Sequence, residues 1–267
     1  MLRYFNTEGR CIPKKHYMVP LEERLKVIKE QFVDQEKYFV INRGRQYGKT
    51  TTLRALAEYL QYEYIVVSID FQGIGSEEFA SAETFTWAFA NVFLSAFKKV
   101  LMRHDEKEWL LKPLRDFVEN AADRSLRELF VRLSKICEAS NKPIVLMIDE
   151  VDSASNNQVF IDFLAQLRGY YLDREDSPIF HSVILAGVYD IVNLKLKIRS
   201  QSEYQYNSPW NIAADFDVDM SFSAKQIAAM LREYETDHHT GMEIEAVAEY
   251  LYQYTSGYPY LVSALCK

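Results

Sequence analysis

The stretch Lys37-Tyr38-Phe39-Val40-Ile41-Asn42-Arg43-Gly44-Arg45-Gln46-Tyr47-Gly48-Lys49-Thr50-Thr51 decides the reading of this sequence. Its first six residues form a short apolar run rich in strand formers. From Thr50 to Gln61, Leu53, Leu56, Ala57 and Leu60 recur at helical spacing, which predicts an amphipathic helix. Between the two lies a basic, glycine-containing turn. A strand that hands such a turn to a helix N-terminus aims backbone N–H groups at one point, as phosphate binding requires. Gly48 permits close backbone approach, Lys49 suits the β- and γ-phosphates of a nucleotide, and the Thr50 hydroxyl suits Mg²⁺. The usual pattern, G-x-x-x-x-G-K-S/T, puts its first glycine where this chain has Arg43; the glycine is displaced to Gly44. A basic strand-to-helix turn with no ligand is the competing reading of so short a motif.

A second segment narrows the choice. Val145-Leu146-Met147-Ile148-Asp149-Glu150 is an apolar run that ends in two carboxylates. In a nucleotide-hydrolysing fold the first carboxylate at such a strand tip holds Mg²⁺ and the next polarises the attacking water. Asp149 and Glu150 suit those roles in that order. Two solvated carboxylates ending a strand are common by themselves. Their position after a Gly-Lys-Thr helix, on a strand of buried type, favours nucleotide binding.

Outward from these segments, strand-like and helix-like runs alternate, which predicts an α/β protein with a mostly parallel sheet. Leu21 to Phe32 reads as a first helix. Tyr64 to Asp70, Pro143 to Asp149 and His181 to Val188 read as further strands, with Asp215 to Met220 as a candidate fifth. Residues 77–118 read as a helical insertion broken near Asp105 and Pro113. Ser125 to Ala139 and Asn156 to Tyr171 read as helices. After Ser221 three helices are expected: Ala224–Tyr234, Ile244–Tyr254 and Pro259–Leu265. The expected organisation is a core over 1–220 and a small all-helical lid over 221–267. The last helix reaches Lys267 without a stop signal, so the lid is expected to continue beyond it.

Composition removes several classes. With Lys+Arg 31 against Asp+Glu 38 the net charge is −7, which disfavours a general nucleic-acid coat but leaves a local basic groove possible. The strongest apolar run, Ile144 to Ile148, is far short of a membrane span, and the N-terminus lacks a signal-peptide core. Three dispersed cysteines, Cys11, Cys137 and Cys266, form neither a disulfide framework nor a metal knuckle; a reduced, cytoplasmic setting is expected. His238 and His239 are adjacent but have no third ligand at zinc spacing.

The loop Arg43-Gly44-Arg45-Gln46-Tyr47-Gly48-Lys49-Thr50 resembles the Arg-Pro-Arg-Arg-Phe-Gly-Lys-Ser loop of bacterial AAA-ATPase-like proteins, including an arginine at the first-glycine position. Asn207-Ser208-Pro209-Trp210-Asn211-Ile212-Ala213 and Ser256-Gly257-Tyr258-Pro259-Tyr260-Leu261 also resemble segments of such proteins, so the likeness covers essentially the whole chain. It implies a P-loop NTPase with a three-layer α/β/α core. The implied sheet is parallel and five-stranded, with the loop strand beside the Asp-Glu strand, and a helical lid follows. The cofactors implied are ATP and Mg²⁺. The phosphate-binding set is Arg43, Gly44, Arg45, Gln46, Tyr47, Gly48, Lys49, Thr50 and Thr51; the metal ligands are Thr50 and Asp149; the catalytic set is Glu150, Lys49 and Arg199.

Weaker candidates have equal or better structural readings. Tyr189 or Asp190 is a polar sensor or a helix cap. Arg199 is an arginine finger toward a neighbouring subunit or part of a solvated basic face. Tyr17, Met18 and Pro20 line an adenine pocket or simply pack. Gly257-Tyr258-Pro259 resembles the Gly-x-Pro element of signalling P-loop ATPases, or starts a helix. Asp70 reads as a loop cap. Three functional readings follow: an Mg²⁺-dependent ATPase, a nucleotide-controlled switch or scaffold with little turnover, and the motor part of a DNA-processing or defence protein whose effector lies elsewhere. Partners other than ATP are a second copy, an effector domain or a partner protein; nucleic acid stays open and a membrane is not expected.

Overall fold

A computed structural model describes residues 2–103, 108–120, 122–188 and 210–267. By its contacts the chain falls into two compact units, each assembled from separate stretches. One comprises Lys29–Asn42 and Ala57–Phe216; the other comprises Met1–Ile28, Arg43–Leu56 and Asp217–Lys267.

The first unit holds the sheet. Its strands are β1 (Tyr38–Asn42), β2 (Ile65–Asp70), β3 (Ile144–Asp149) and β4 (Ser182–Gly187). They lie in the order β1-β4-β3-β2 and every pairing is parallel. Every residue of β3 and β4 is buried, so both faces of the middle of the sheet are covered, as a parallel sheet requires. This explains why β3 reads as an unbroken apolar run and not as an alternation.

Two details of the expected sheet are corrected. The loop strand β1 does not neighbour the Asp-Glu strand β3; β4 lies between them, in register from Tyr38↔Val183 to Asn42↔Gly187. Both β1 and β4 are apolar on both faces, so local pattern does not set their order; the crossovers do. Among the described residues there are four strands, and Asp215–Met220 is not one of them. The chain there touches the sheet through one bridge, Ala214 beside Phe39. Phe216 turns inward against Phe32 and Phe39, and Met220 is also buried, but burial without a row of bonds to a neighbouring strand does not make a ladder.

The helices of this unit are α3 (Ala82–Leu101), α4 (Lys112–Asn120), α5 (Leu126–Ala139) and α6 (Gln158–Leu172). Ser81 caps α3 with a capping box to Thr84, and Ser125 caps α5 by accepting from the Glu128 N–H. Pro113 does not break the chain. It stands in the first turn of α4, where its missing N–H has no intrahelical partner to lose. Phe85, Phe89, Phe93 and Phe97 repeat every fourth residue along α3 and are fully buried. Phe85, Phe89 and Phe93 meet Phe71, Phe163 and Phe180 with ring centroids 4.9–6.3 Å apart. Most of the chain's 16 phenylalanines lie in this core.

The second unit holds α1 (Glu22–Ile28) and the helices α7 (Ala224–His238), α8 (Ile244–Thr255) and α9 (Pro259–Cys266). The helix expected over Leu21–Phe32 is α-helical only to Ile28 and continues as a π-turn over Lys29–Val33. The apolar centre of the unit is Phe5, Tyr17 and Val19 from the N-terminal segment with Ile227, Leu231, Ala248 and Val262 from the three C-terminal helices. Ions and hydroxyls add to it. Arg3 pairs with Glu233 and Asp237, Tyr17 donates to Asp237 at 2.8 Å, and Arg3 lies 4.8 Å over the Tyr17 ring. The stretch joining strand β1 to this unit begins at Arg43, and the helix α2 (Lys49–Leu60) grows out of it.

Candidate functional site

The turn after β1 leads from the strand into the N-terminus of α2. Gln46 and Gly48 both adopt left-handed backbone, at φ 62° and φ 76°. Glycine enters that region without the steric cost of a side chain. The first bond of α2 runs from the Thr52 N–H to the Gly48 carbonyl at 2.8 Å. Lys49 is 8% exposed, and its Nζ donates to the carbonyls of Arg43 at 2.9 Å and Gly44 at 3.0 Å. The buried ammonium thus folds back over the turn from which it arises and is hydrogen-bonded there, as a buried charge requires.

The other residues of the turn differ in what they do. The Arg43 guanidinium donates to the Val218 carbonyl at 3.1 Å. Arg45 and Gln46 are exposed. The Tyr47 ring packs on Tyr258, with centroids 4.7 Å apart, and the Thr51 hydroxyl accepts from the Cys11 N–H at 3.2 Å. Thr50 is partly buried at the second position of α2.

In the sheet unit, the carboxyl ends of the strands share one edge. Asn42 pairs with Gly187 and Asp70 pairs with Asp149 in register. Asp149 is 8% exposed and its Oδ1 accepts from the Glu150 N–H at 3.0 Å. Glu150 stands in the left-handed region at φ 55° and ψ 39°. For a residue with a Cβ this conformation costs on the order of 1–2 kcal/mol, and such strain gathers at functional positions. Asp152, two residues on, accepts from the Val188 N–H at 2.6 Å and so ties the β3 turn to the end of β4. The reading of the sequence did not single out Asp152; the acidic spacing Asp149-Glu150-Val151-Asp152 was the available signal.

Asp70 caps its turn as expected, accepting from the Gln72 N–H at 2.8 Å. Tyr17 is a core residue bonded to Asp237, and burial with that carboxylate pushes its hydroxyl up to about 12. Arg199, Tyr189 and Asp190, together with Asn207, Ser208 and Pro209, lie outside the described residues. Among the described residues no group of three metal-ligating side chains occurs, and no helix is long and apolar enough to cross a membrane.

Residues 20–266 match the family described as the AAA-like domain. The chain belongs to that family. No curated protein sequence matches it. Among solved structures, the ORC2 protein of Aeropyrum pernix, in ADPNP and ADP complexes, has a TM-score of 0.53 at 10% identity. That match covers 90% of this chain and 58% of ORC2. Cdc6p of Pyrobaculum aerophilum has a TM-score of 0.45 at 13% identity, covering 81% of this chain and 49% of its own length. The AAA-like chain thus spans less than two thirds of either protein. The first likeness is one of fold, the α/β P-loop NTPase core with helical parts.

Proposed function

We propose that this AAA-like chain binds ATP and hydrolyses it to ADP and phosphate with Mg²⁺. One observation carries the reading most: Lys49 is buried against the carbonyls of the turn that precedes it, beside left-handed Gly48. In the proposal the backbone N–H groups of Arg43 to Thr51 wrap the phosphates and Lys49 offsets their charge. Glu150 orients the water that attacks the terminal phosphate. Its backbone strain suits that role, because it fixes the carboxylate's point of departure. Thr50 and Asp149 offer a hydroxyl and a carboxylate, the hard oxygen donors that Mg²⁺ takes. The cation, when bound, shields charge on the phosphate oxygens. Arg199 stays the proposed finger toward a second copy or partner. The proposed division is an ATPase core over 1–220 with a helical lid from 221, in a cytoplasmic protein.

Nucleotide affinity and phosphate release test this. Lys49→Ala removes charge-assisted bonds and is expected to weaken ATP binding about 100-fold. Glu150→Gln is expected to bind ATP as well as wild type and to turn over about 100-fold or more slowly. Intact ATP affinity in Lys49→Ala sinks the loop assignment. Equal turnover in wild type and Glu150→Gln replaces the ATPase with a nucleotide-controlled switch.

A further inference from the structure

The loop is tied to the last helix of its own unit by Tyr258. The Tyr258 hydroxyl donates to the Arg45 carbonyl at 2.7 Å, and its ring lies on Tyr47 at 4.7 Å with an interplanar angle of 37°. Tyr258 is the N-cap residue of α9, yet its side chain makes no cap bond; it is spent on the loop. A tyrosine hydroxyl is protonated at neutral pH, and partial desolvation pushes this one further up.

Its neighbours show why it is held there. Gly257 has φ 72°, and a Cβ on it would lie 2.0 Å from the Phe222 carbonyl oxygen. The two backbones also bond directly, Phe222 N–H to Gly257 carbonyl at 2.8 Å. Pro259 then starts α9 with its fixed φ. In Gly257-Tyr258-Pro259 the glycine therefore allows the close approach, the tyrosine contacts the loop, and the proline starts the helix.

Three successive carbonyls of the loop are thereby held: Arg43 and Gly44 by Lys49, and Arg45 by Tyr258. In a trans peptide the N–H points opposite to the preceding carbonyl. Holding each of those carbonyls also fixes the N–H of the same peptide unit, that of Gly44, Arg45 or Gln46, on its opposite side.

We infer that Tyr258 is a positioning residue of the phosphate loop: its hydroxyl on the Arg45 carbonyl preorganises the loop amides for a nucleotide's phosphates and couples nucleotide binding to α9. The inference rests on the proposed ATP reading and adds a residue outside the loop motif. Pre-set donors bind more tightly because the ordering cost is met before the ligand arrives.

The test uses wild type, Tyr258→Phe, Tyr258→Ala and Lys49→Ala as the full chain. ATP and ADP affinity are measured by calorimetry, and amide hydrogen exchange is followed with and without nucleotide. Tyr258→Phe keeps the ring and loses one hydrogen bond. It should bind both nucleotides about five- to tenfold more weakly. In the free protein it should exchange faster over residues 43–48. Nucleotide should also cease to slow exchange over residues 256–266. Tyr258→Ala should enlarge all three effects. If both Tyr258 variants bind and exchange as wild type while Lys49→Ala loses ATP, the positioning role is refuted and the ATP reading stands. If wild type binds neither nucleotide, the ATP reading fails and the inference fails with it. Faster loop exchange with unchanged affinity also overturns the role, since it would make Tyr258 a structural tie only.

Discussion

The phenylalanine stripe of the sheet unit and two tyrosines of the loop unit make two different kinds of aromatic contact. In the sheet unit, α3 buries Phe85, Phe89, Phe93 and Phe97 against other phenylalanines. In the loop unit, two tyrosines place their hydroxyls on named acceptors, the buried Tyr17 on Asp237 and the half-buried Tyr258 on Arg45. The first arrangement is stable by area and indifferent to charge. The second ties distant segments of sequence through directional bonds, so it can register a change at the loop. A binding element that must respond to a ligand benefits from the second kind of contact, and a scaffold that must not respond benefits from the first.

Three substitutions sharpen this contrast. Phe89→Ala, in the middle of the α3 stripe, should cost the most, about 3–5 kcal/mol of unfolding free energy. Chemical denaturation measures it, and a loss under about 1 kcal/mol would mean that the stripe is not the core. Gly257→Ala comes next. Its Cβ meets the Phe222 carbonyl and its backbone is left-handed, so a cost on the order of 2–3 kcal/mol is expected. Because the clash displaces the residue before Tyr258, nucleotide affinity should fall along with the melting temperature. Unchanged affinity in a destabilised protein would separate α9 from the loop.

The smallest effect concerns Asp219. Hydrogen bonds from the Ser221 N–H and hydroxyl hold its carboxylate below the ordinary range, with Arg24 and Arg43 adding attraction. A carboxylate whose folded value is depressed stabilises the fold above its unfolded value, and that contribution disappears as pH falls through the folded value. Asp219→Asn should therefore lower stability above about pH 4 and match wild type in stronger acid. The side chain is exposed, so the difference should be about 0.5 kcal/mol or less. A pH-independent difference between the two melting curves would mean that the charge on Asp219 adds nothing to stability.

Much of the fold was legible because parallel strands and their helices have strong periodic signals. The runs at Tyr38–Asn42, Ile65–Asp70, Ile144–Asp149 and Ser182–Gly187 are strands as read. Asp215–Met220 alternates like a strand, but alternation does not say whether a neighbouring edge accepts its hydrogen bonds. Pro113 looks like a break, but proline is also suited to a first helical turn. The neighbours of β1 were misjudged because strand order depends on crossovers that leave no local pattern.

By itself the sequence determined the AAA-like family, the Gly-Lys-Thr turn between strand and helix, and the Asp-Glu pair at a strand tip. These are contiguous features, and local chemistry writes them into neighbouring residues. Only the tertiary structure decided that β4 separates β1 from β3, that Glu150 is strained, and that Arg43 points to Val218. It alone showed that Tyr258, more than two hundred residues away in sequence, holds the Arg45 carbonyl. Such facts depend on which segments meet in space, and a hydrogen bond spanning 213 positions has no period along the chain.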